Sequence, residues 1–138
     1  MDGIHYKKTG IMLDTGHLMH TNPKLKTPDE AVDYILTILG RYEDLSFIRG
    51  VHLHQSLTGS KAAEFMQNWK PMEGTYQQQM LDVMMHIFQI DTHRPFCSDR
   101  INEIFSHLSG LEFVCLEQIT ATREEHDRYL TEQMKYLA

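Results

Sequence analysis

The stretch Gly10-Ile11-Met12-Leu13-Asp14-Thr15-Gly16-His17 decides the fold class. Its short apolar run is bounded by glycines, which is typical of a fully buried strand in a parallel sheet. The run stops at Asp14, the first acid. Because binding sites of parallel α/β proteins are built at the carboxyl ends of their strands, we expect Asp14 and His17 to face a site.

Strands and helices are predicted to alternate along the chain. Two further strands are expected over 47–53 and 111–116. A capping box at 27–30, with a hydroxyl at the N-cap, proline at N1 and glutamate at N3, begins an amphipathic helix that ends near Gly40. The other predicted helices cover 60–69, 75–88, Ser98 to Leu108, and the residues from Thr122 onward. This order indicates a parallel α/β fold, and 138 residues leave room for a single domain over 1–138.

Composition excludes several classes of protein. With 41% hydrophobic and 23% charged residues, no stretch approaches the roughly 18 apolar residues of a membrane span. No secretory signal is visible, so we expect a cytoplasmic protein with Cys97 and Cys115 free and reduced. A net charge of −6 with 13 scattered Lys and Arg residues makes nucleic acid an unexpected partner.

Residue types that bind metals follow the apolar stretches. His52, the Asp91/His93 pair and Glu117 come at the ends of later extended or apolar segments, as Asp14 does. Carboxylates with imidazoles form a mixed oxygen and nitrogen site that suits manganese, magnesium, cobalt or zinc, and no thiolate favours a softer metal. The sequence therefore predicts at least part of a divalent-metal site.

Each candidate ligand also has an ordinary structural explanation. Asp14 could be a turn residue that binds its own backbone, and His17 could cap the next loop. Asp91 and His93 could be a plain loop pair in which the acid orients the imidazole. Glu117 ends an apolar strand. Burying its carboxylate there without a partner would be costly, so a cation or an arginine is expected nearby.

Four segments together resemble a known superfamily. Residues 10–17, 48–53, 90–96 and 114–117 are similar to the last three strand segments of the xylose isomerase-like TIM barrels. That superfamily joins sugar isomerases, epimerases and inosose-type enzymes with the type IV apurinic endonucleases. The resemblance covers nearly the whole chain. It implies the carboxyl-terminal part of a TIM barrel, about three of its eight strand-helix units.

The resemblance also implies roles for individual residues. Asp14, His52 and Glu117 would be three ligands of the shared divalent metal, with a fourth carboxylate supplied by an earlier strand. His17 would contact substrate or bind a further metal, which makes His17 and Glu117 the expected catalytic residues. Asp91 and His93 resemble the pair that completes the endonuclease site. Of His52 and His54, we expect only one to face the site; the resemblance selects His52 and leaves His54 packed or exposed.

The reaction implied by the resemblance is isomerisation or epimerisation of a small sugar, sugar phosphate or polyol. Residues 52–56 lack the Asn-Asp-Ser or Asn-Asp-Ala that typically follows this histidine in the endonucleases, which favours sugar chemistry. The Asp91-Thr92-His93 pair instead favours a multi-metal, endonuclease-like phosphodiesterase. Both interpretations stay open, as does a non-catalytic assembly module that keeps the ligand positions as polar relics.

Length limits what the resemblance can imply. A TIM barrel needs roughly 250 residues. Three parallel strands cannot close a barrel, so two sheet edges and apolar strand faces should be exposed. We therefore expect a truncated chain, a split gene product, or an assembly in which a homo-oligomer or a separate amino-terminal barrel portion pairs those edges. Without the earlier-strand carboxylate, the site should be incomplete for catalysis.

Overall fold

A parallel sheet with helices on one side organises the protein. The structure, a computed structural model, describes residues 9–137. Three strands, β1 (Ile11–Asp14), β2 (Ile48–Leu53) and β3 (Phe113–Leu116), form one sheet in the order β1-β2-β3, with both pairs parallel. The helices of this part are α1 (Thr15–His20), α2 (Pro28–Leu39), α3 (Gly59–Asn68), α4 (Tyr76–Ile90), α5 (Ile101–His107) and α6 (Arg123–Met134). The predicted α/β class with a parallel sheet is confirmed.

The register of the sheet aligns the carboxyl ends of all three strands. Asp14 lies opposite His52, and His52 lies opposite Cys115. Just beyond β3, the backbone N–H of Glu117 donates to the carbonyl of Leu53 at 3.4 Å. Asp14, His52 and Glu117 therefore come to one edge of the sheet, as expected for parallel strands.

The hydrophobic core lies on one face of the sheet, beneath α2 and α5. The central strand β2 contributes Val51 and Leu53, and both are fully buried. Helices α2 and α5 supply the fully buried side chains that pack against the core, Ala31, Val32, Ile35, Ile101 and Ile104. The predicted capping box of α2 is confirmed, because the Thr27 hydroxyl accepts from the Glu30 backbone while the Glu30 carboxylate accepts from the Thr27 backbone.

The opposite face of the sheet is open. Ile11 and Met12 of β1 are 43% and 39% exposed, and Phe113 of β3 is 49% exposed. The expectation that β1 is fully buried is therefore wrong, because no described segment covers its outer side. The expectation of exposed apolar strand faces is confirmed. Cys97 and Cys115 are both free, also as expected.

Two local features differ from the sequence prediction. The chain turns directly from β1 into the short helix α1, for which Asp14 is the N-cap. The helix predicted to start at Ser98 begins at Ile101, with Arg100 at the N-cap position. The Ser98 hydroxyl instead donates to Asp29 at 2.6 Å, which links the segment before α5 to the first turn of α2.

Among residues 9–137, none of the helices has the length and apolar character needed to cross a membrane.

Candidate metal centre

A cluster of imidazoles and carboxylates lies at the carboxyl edge of the sheet. It draws on the end of β1, helix α1, the end of β2, the loop after α4 and the residue after β3. All six residues predicted from the sequence belong to it, together with one that was not expected. The members are Asp14, His17, His52, His54, Asp91, His93 and Glu117.

Asp14 contacts three histidines of the cluster. Its Oδ1 accepts the backbone N–H of His17 at 2.8 Å and the Nε2 of His54 at 2.9 Å. Its Oδ2 lies 3.2 Å from Nδ1 of His17 and 3.6 Å from Nδ1 of His52. Asp14 is therefore both the cap that its turn context predicts and a member of the site, so the two explanations do not exclude each other.

Glu117 presents one carboxylate oxygen to three imidazoles. Its Oε2 lies 3.0 Å from Nδ1 of His52, outside hydrogen-bonding geometry, and 3.9 Å from both Nε2 of His54 and Nδ1 of His93. This oxygen is buried and has no hydrogen-bond partner. A buried carboxylate oxygen without a donor is costly, so the arrangement fits a cation at this point.

Asp91 contacts two histidines of the cluster, His17 and His93, and the hydroxyl of Ser56. Its Oδ2 lies 3.0 Å from Nε2 of His17 and 3.0 Å from Nε2 of His93, and its Oδ1 accepts from the hydroxyl of Ser56 at 3.3 Å. His93 has a φ of 44°, the left-handed region that costs a non-glycine residue energy. The Ser56 hydroxyl accepts the backbone N–H of His93 at 3.3 Å and helps to hold this conformation.

His54 is the residue that sequence reasoning missed. We expected only one of His52 and His54 to face the site, and this is wrong because residues two apart on an extended strand point to the same side. His54 is fully buried, and its ring stacks on His93 with centroids 3.8 Å apart. The spacing of two between His52 and His54 was the signal that could have identified it.

The Thr-Gly pair after Asp14 makes room for His54. The Thr15 hydroxyl lies 2.6 Å from the carbonyl of His54 and accepts the His54 backbone N–H at 3.1 Å. At Gly16, a Cβ would lie 2.0 Å from Cε1 and 2.2 Å from Nδ1 of the His54 ring. Only glycine allows α1 to approach the imidazole this closely.

Contacts with histidines lower the pKa of both aspartates of the cluster, Asp14 and Asp91. Partial burial acts to raise the pKa of Asp14, but hydrogen bonds from His54 and the His17 backbone outweigh it and lower the pKa from 3.8 to about 2. Burial likewise acts to raise the pKa of Asp91, and hydrogen bonds from His17 and His93 lower it overall.

The two histidines of α1 are shifted in opposite directions. Burial acts to lower the pKa of His17, yet its hydrogen bond to Asp91 and the nearby carboxylate charges raise it overall. His20 also lies on α1, with its Nε2 4.0 Å from Oδ1 of Asp91. Burial lowers the pKa of His20. The same helix therefore presents one histidine that favours the charged form and one that favours the neutral form.

The donor atoms form two overlapping sets that could hold a metal ion. Asp14, His54 and Glu117 make one set, and His17, His54 and His93 make the other, with the ligand atoms of each set within 4.8 Å of one another. When Nε2 of His93 donates to Asp91, its Nδ1 keeps a free lone pair, and this buried atom has no partner. The Nδ1 of His93 and the Oε2 of Glu117 are both buried without a hydrogen-bond partner and lie 3.9 Å apart, an arrangement that fits a cation.

Comparisons with known proteins found no protein-family model, no curated protein and no solved structure that matches this chain. The superfamily resemblance therefore stays a prediction that rests on the four sequence segments. What the structure adds is independent of it: the residues of those segments converge at one edge of the sheet.

The contact between α1 and His54 yields a test in the metal-free protein. Gly16→Ala places a methyl group on the buried His54 ring and should destabilise the fold by about 1–3 kcal/mol, the usual cost of overpacking. Gly40→Ala is the matched control, because its Cβ would meet its nearest neighbour, the Leu36 carbonyl, at 3.2 Å. Urea unfolding measures both variants. Equal stability of the two would contradict the close approach at Gly16.

The lowered pKa of Asp14 predicts a pH dependence of stability. Its pKa is about 2 in the folded protein against 3.8 ordinarily, so its contribution is complete above pH 3.8 and is lost as pH falls through about 2. The difference in unfolding free energy between the natural protein and Asp14→Asn should therefore shrink between pH 4 and pH 2. Denaturant titrations at several pH values measure this difference. A constant difference would show that the Asp14 carboxylate gains nothing from its histidines.

Proposed function

We propose that this protein is a divalent-metal-dependent isomerase or epimerase of the xylose isomerase-like type, acting on a small sugar, sugar phosphate or polyol. The observation that carries the proposal is the convergence of donor atoms from Asp14, His54 and Glu117 within 4.8 Å at the carboxyl edge of a parallel sheet. Partner strands that complete the open sheet are part of the proposal, since the described sheet has three strands and an uncovered face.

The donor set fits manganese, magnesium, cobalt or zinc. Carboxylate oxygens and imidazole nitrogens are the ligands of this set, and no thiolate takes part. His93 and Glu117 would be among the residues that hold the ion, because the Nδ1 of His93 and the Oε2 of Glu117 are unpartnered and 3.9 Å apart. His52 lies beside Glu117 and serves as a further ligand or as support for that carboxylate.

Some residues of the cluster would bind the ion and others would react with the substrate. A divalent ion, when bound, would supply polarisation of a carbonyl or alkoxide oxygen of the substrate. Asp14 and His54 are held by each other and by α1, so they fix the position of the site. The side chain of His17 is 55% exposed and hydrogen-bonded to Asp91, which makes it the imidazole best placed to exchange a proton with a bound substrate.

Charge favours a small substrate of low negative charge. The cluster contains three carboxylates, and the whole chain has a net charge of −6. A polyanion such as a nucleic acid backbone would approach this edge against repulsion. A polyol or sugar presents adjacent hydroxyl oxygens without that cost, which supports the sugar interpretation.

A second candidate function is phosphodiester hydrolysis. The observation that favours it is the group around Asp91, where His17 and His93 both place Nε2 within 3.0 Å of one carboxylate oxygen. Together with the first donor set, these residues offer positions for two ions, and paired metals assist in-line displacement at phosphorus. The resemblance of the Asp91/His93 pair to the apurinic endonucleases supports the same candidate.

Metal binding is the first requirement of either function. Purified protein should contain or take up at least one zinc, manganese or cobalt ion per chain, as measured by elemental analysis and calorimetric titration. Glu117→Gln and His54→Ala should each weaken binding at least 10-fold, because each removes one ligand. His107→Ala, an exposed histidine of α5 that bonds only its own helix backbone, is the control and should bind like the natural protein. Full stoichiometric metal in both cluster variants would contradict the proposal.

The reaction class is tested on the metal-loaded protein. Solvent deuterium should enter aldoses, ketoses or inososes at the carbon next to the carbonyl, detected by NMR. His17→Ala should lose this exchange while keeping the ion held by Asp14, His54 and Glu117. Hydrolysis of bis-p-nitrophenyl phosphate without any sugar exchange would overturn the sugar proposal in favour of the second candidate. Stoichiometric metal with neither activity would overturn both and favour an assembly module.

A further inference from the structure

Helix α4 is packed with its less apolar side inward. It lies against α3, and its partly buried positions are Gln79, Val83, His86 and Ile90. The ring of His86 stacks on Phe65 of α3 with centroids 3.4 Å apart. A helix normally turns its polar side to water and its apolar side to the core. Here the partly buried positions include a glutamine and a histidine.

The apolar side of α4 is left facing solvent. Its large side chains are between 43% and 62% exposed, and no segment of residues 9–137 covers them. We call these residues the α4 face: Met80, Leu81, Met84, Met85, Ile87 and Phe88. With each side chain about half exposed, the α4 face offers on the order of 500–600 Å² of apolar surface, at the upper end of what a monomer normally shows. Such a patch indicates an interaction site.

The sequence of the α4 face is nearly symmetric about Met84. Two antiparallel copies of α4 that cross at Met84 place Met80 opposite Phe88 and Leu81 opposite Ile87. Five of the six residues therefore meet an apolar residue of the same face, Met84 meeting its own copy, whereas the counterpart of Met85 is Val83, which is partly buried. The one charged residue of α4, Asp82, lies outside the α4 face. The face is therefore complementary to itself, the requirement for a twofold interface between identical chains.

The size of the surface also fits a second copy. A stable interface buries about 800 Å² on each partner. The α4 face supplies most of this area, and Tyr76, one helical turn before Met80 and 72% exposed, extends it. Methionine supplies three of the six side chains, and its flexible thioether adapts to irregular contacts.

We propose that the α4 face is the interface of a homodimer in which two α4 helices pack antiparallel about a twofold axis at Met84. The interface lies on α3–α4 and uses none of the residues of the metal centre. The inference therefore goes beyond the proposed function and does not depend on it.

Solution mass tests the dimer directly. Sedimentation or light scattering of the metal-loaded full chain should give twice the chain mass of 16.2 kDa. Met84→Glu brings two carboxylates together at the axis and should weaken dimerisation by roughly 100-fold or more, because like charges at an interface core cost several kcal/mol. Met134→Glu is the matched control, since Met134 is 56% exposed on α6, and it should remain dimeric. Circular dichroism checks that both variants are folded.

Cross-linking tests the geometry even if Met84→Glu fails to fold. In a Cys97→Ser, Cys115→Ser background, Met84→Cys should form a disulfide dimer with itself under mild oxidation. Met80→Cys should not, because its two copies lie about 12 Å apart along the helix axis at 1.5 Å per residue. A mixture of Met80→Cys and Phe88→Cys should cross-link. A single-chain mass for the natural protein, an oligomer unaffected by Met84→Glu, or self-cross-linking of Met80→Cys in place of Met84→Cys would overturn the proposal.

Discussion

The hydrogen bond between Oδ1 of Asp14 and Nε2 of His54, at 2.9 Å, joins the end of β1 to the residue after β2, and the rest of the site depends on it. Because Asp14 also caps α1 through the backbone N–H of His17, the same carboxylate fixes the first turn of the helix that carries His17. His54 in turn supports the ring of His93 by stacking. This contact therefore relates four of the five elements that supply ligands, all but the residue after β3, and Gly16 permits it by leaving space for the imidazole.

The sequence predicts the fold class because its signals are local. The capping box of α2 and the threonine cap of α6 depend on neighbours three residues away, and both are present. The strand ends follow from the parallel register, so Asp14, His52 and Glu117 meet as expected. Ser98 shows the limit of such signals: its hydroxyl bonds Asp29, 69 residues earlier, and no local pattern reveals that choice.

The exposure of β1 could not be predicted from the sequence, and the role of His54 could be predicted only in part. An apolar strand such as β1 predicts burial only if something covers it, and the described chain offers helices to one face of the sheet alone. Strand geometry puts His54 on the same side as His52. Its burial in the site also depends on the position of α1, which is set by a contact across 40 residues. Both cases involve partners distant in the sequence, whereas the chemistry of the ligand types is visible in the sequence itself.

The central claim is that the strand-end cluster is a metal centre, and anomalous X-ray diffraction tests it most directly. Crystals grown with zinc and measured on both sides of the zinc absorption edge should show a peak within about 2.0–2.2 Å of ligand atoms of Asp14, His54 and Glu117. A second peak near His17 and His93 would show that the overlapping donor set is also used. An ordered cluster without any peak, at a zinc concentration that occupies sites elsewhere in the crystal, would contradict the account.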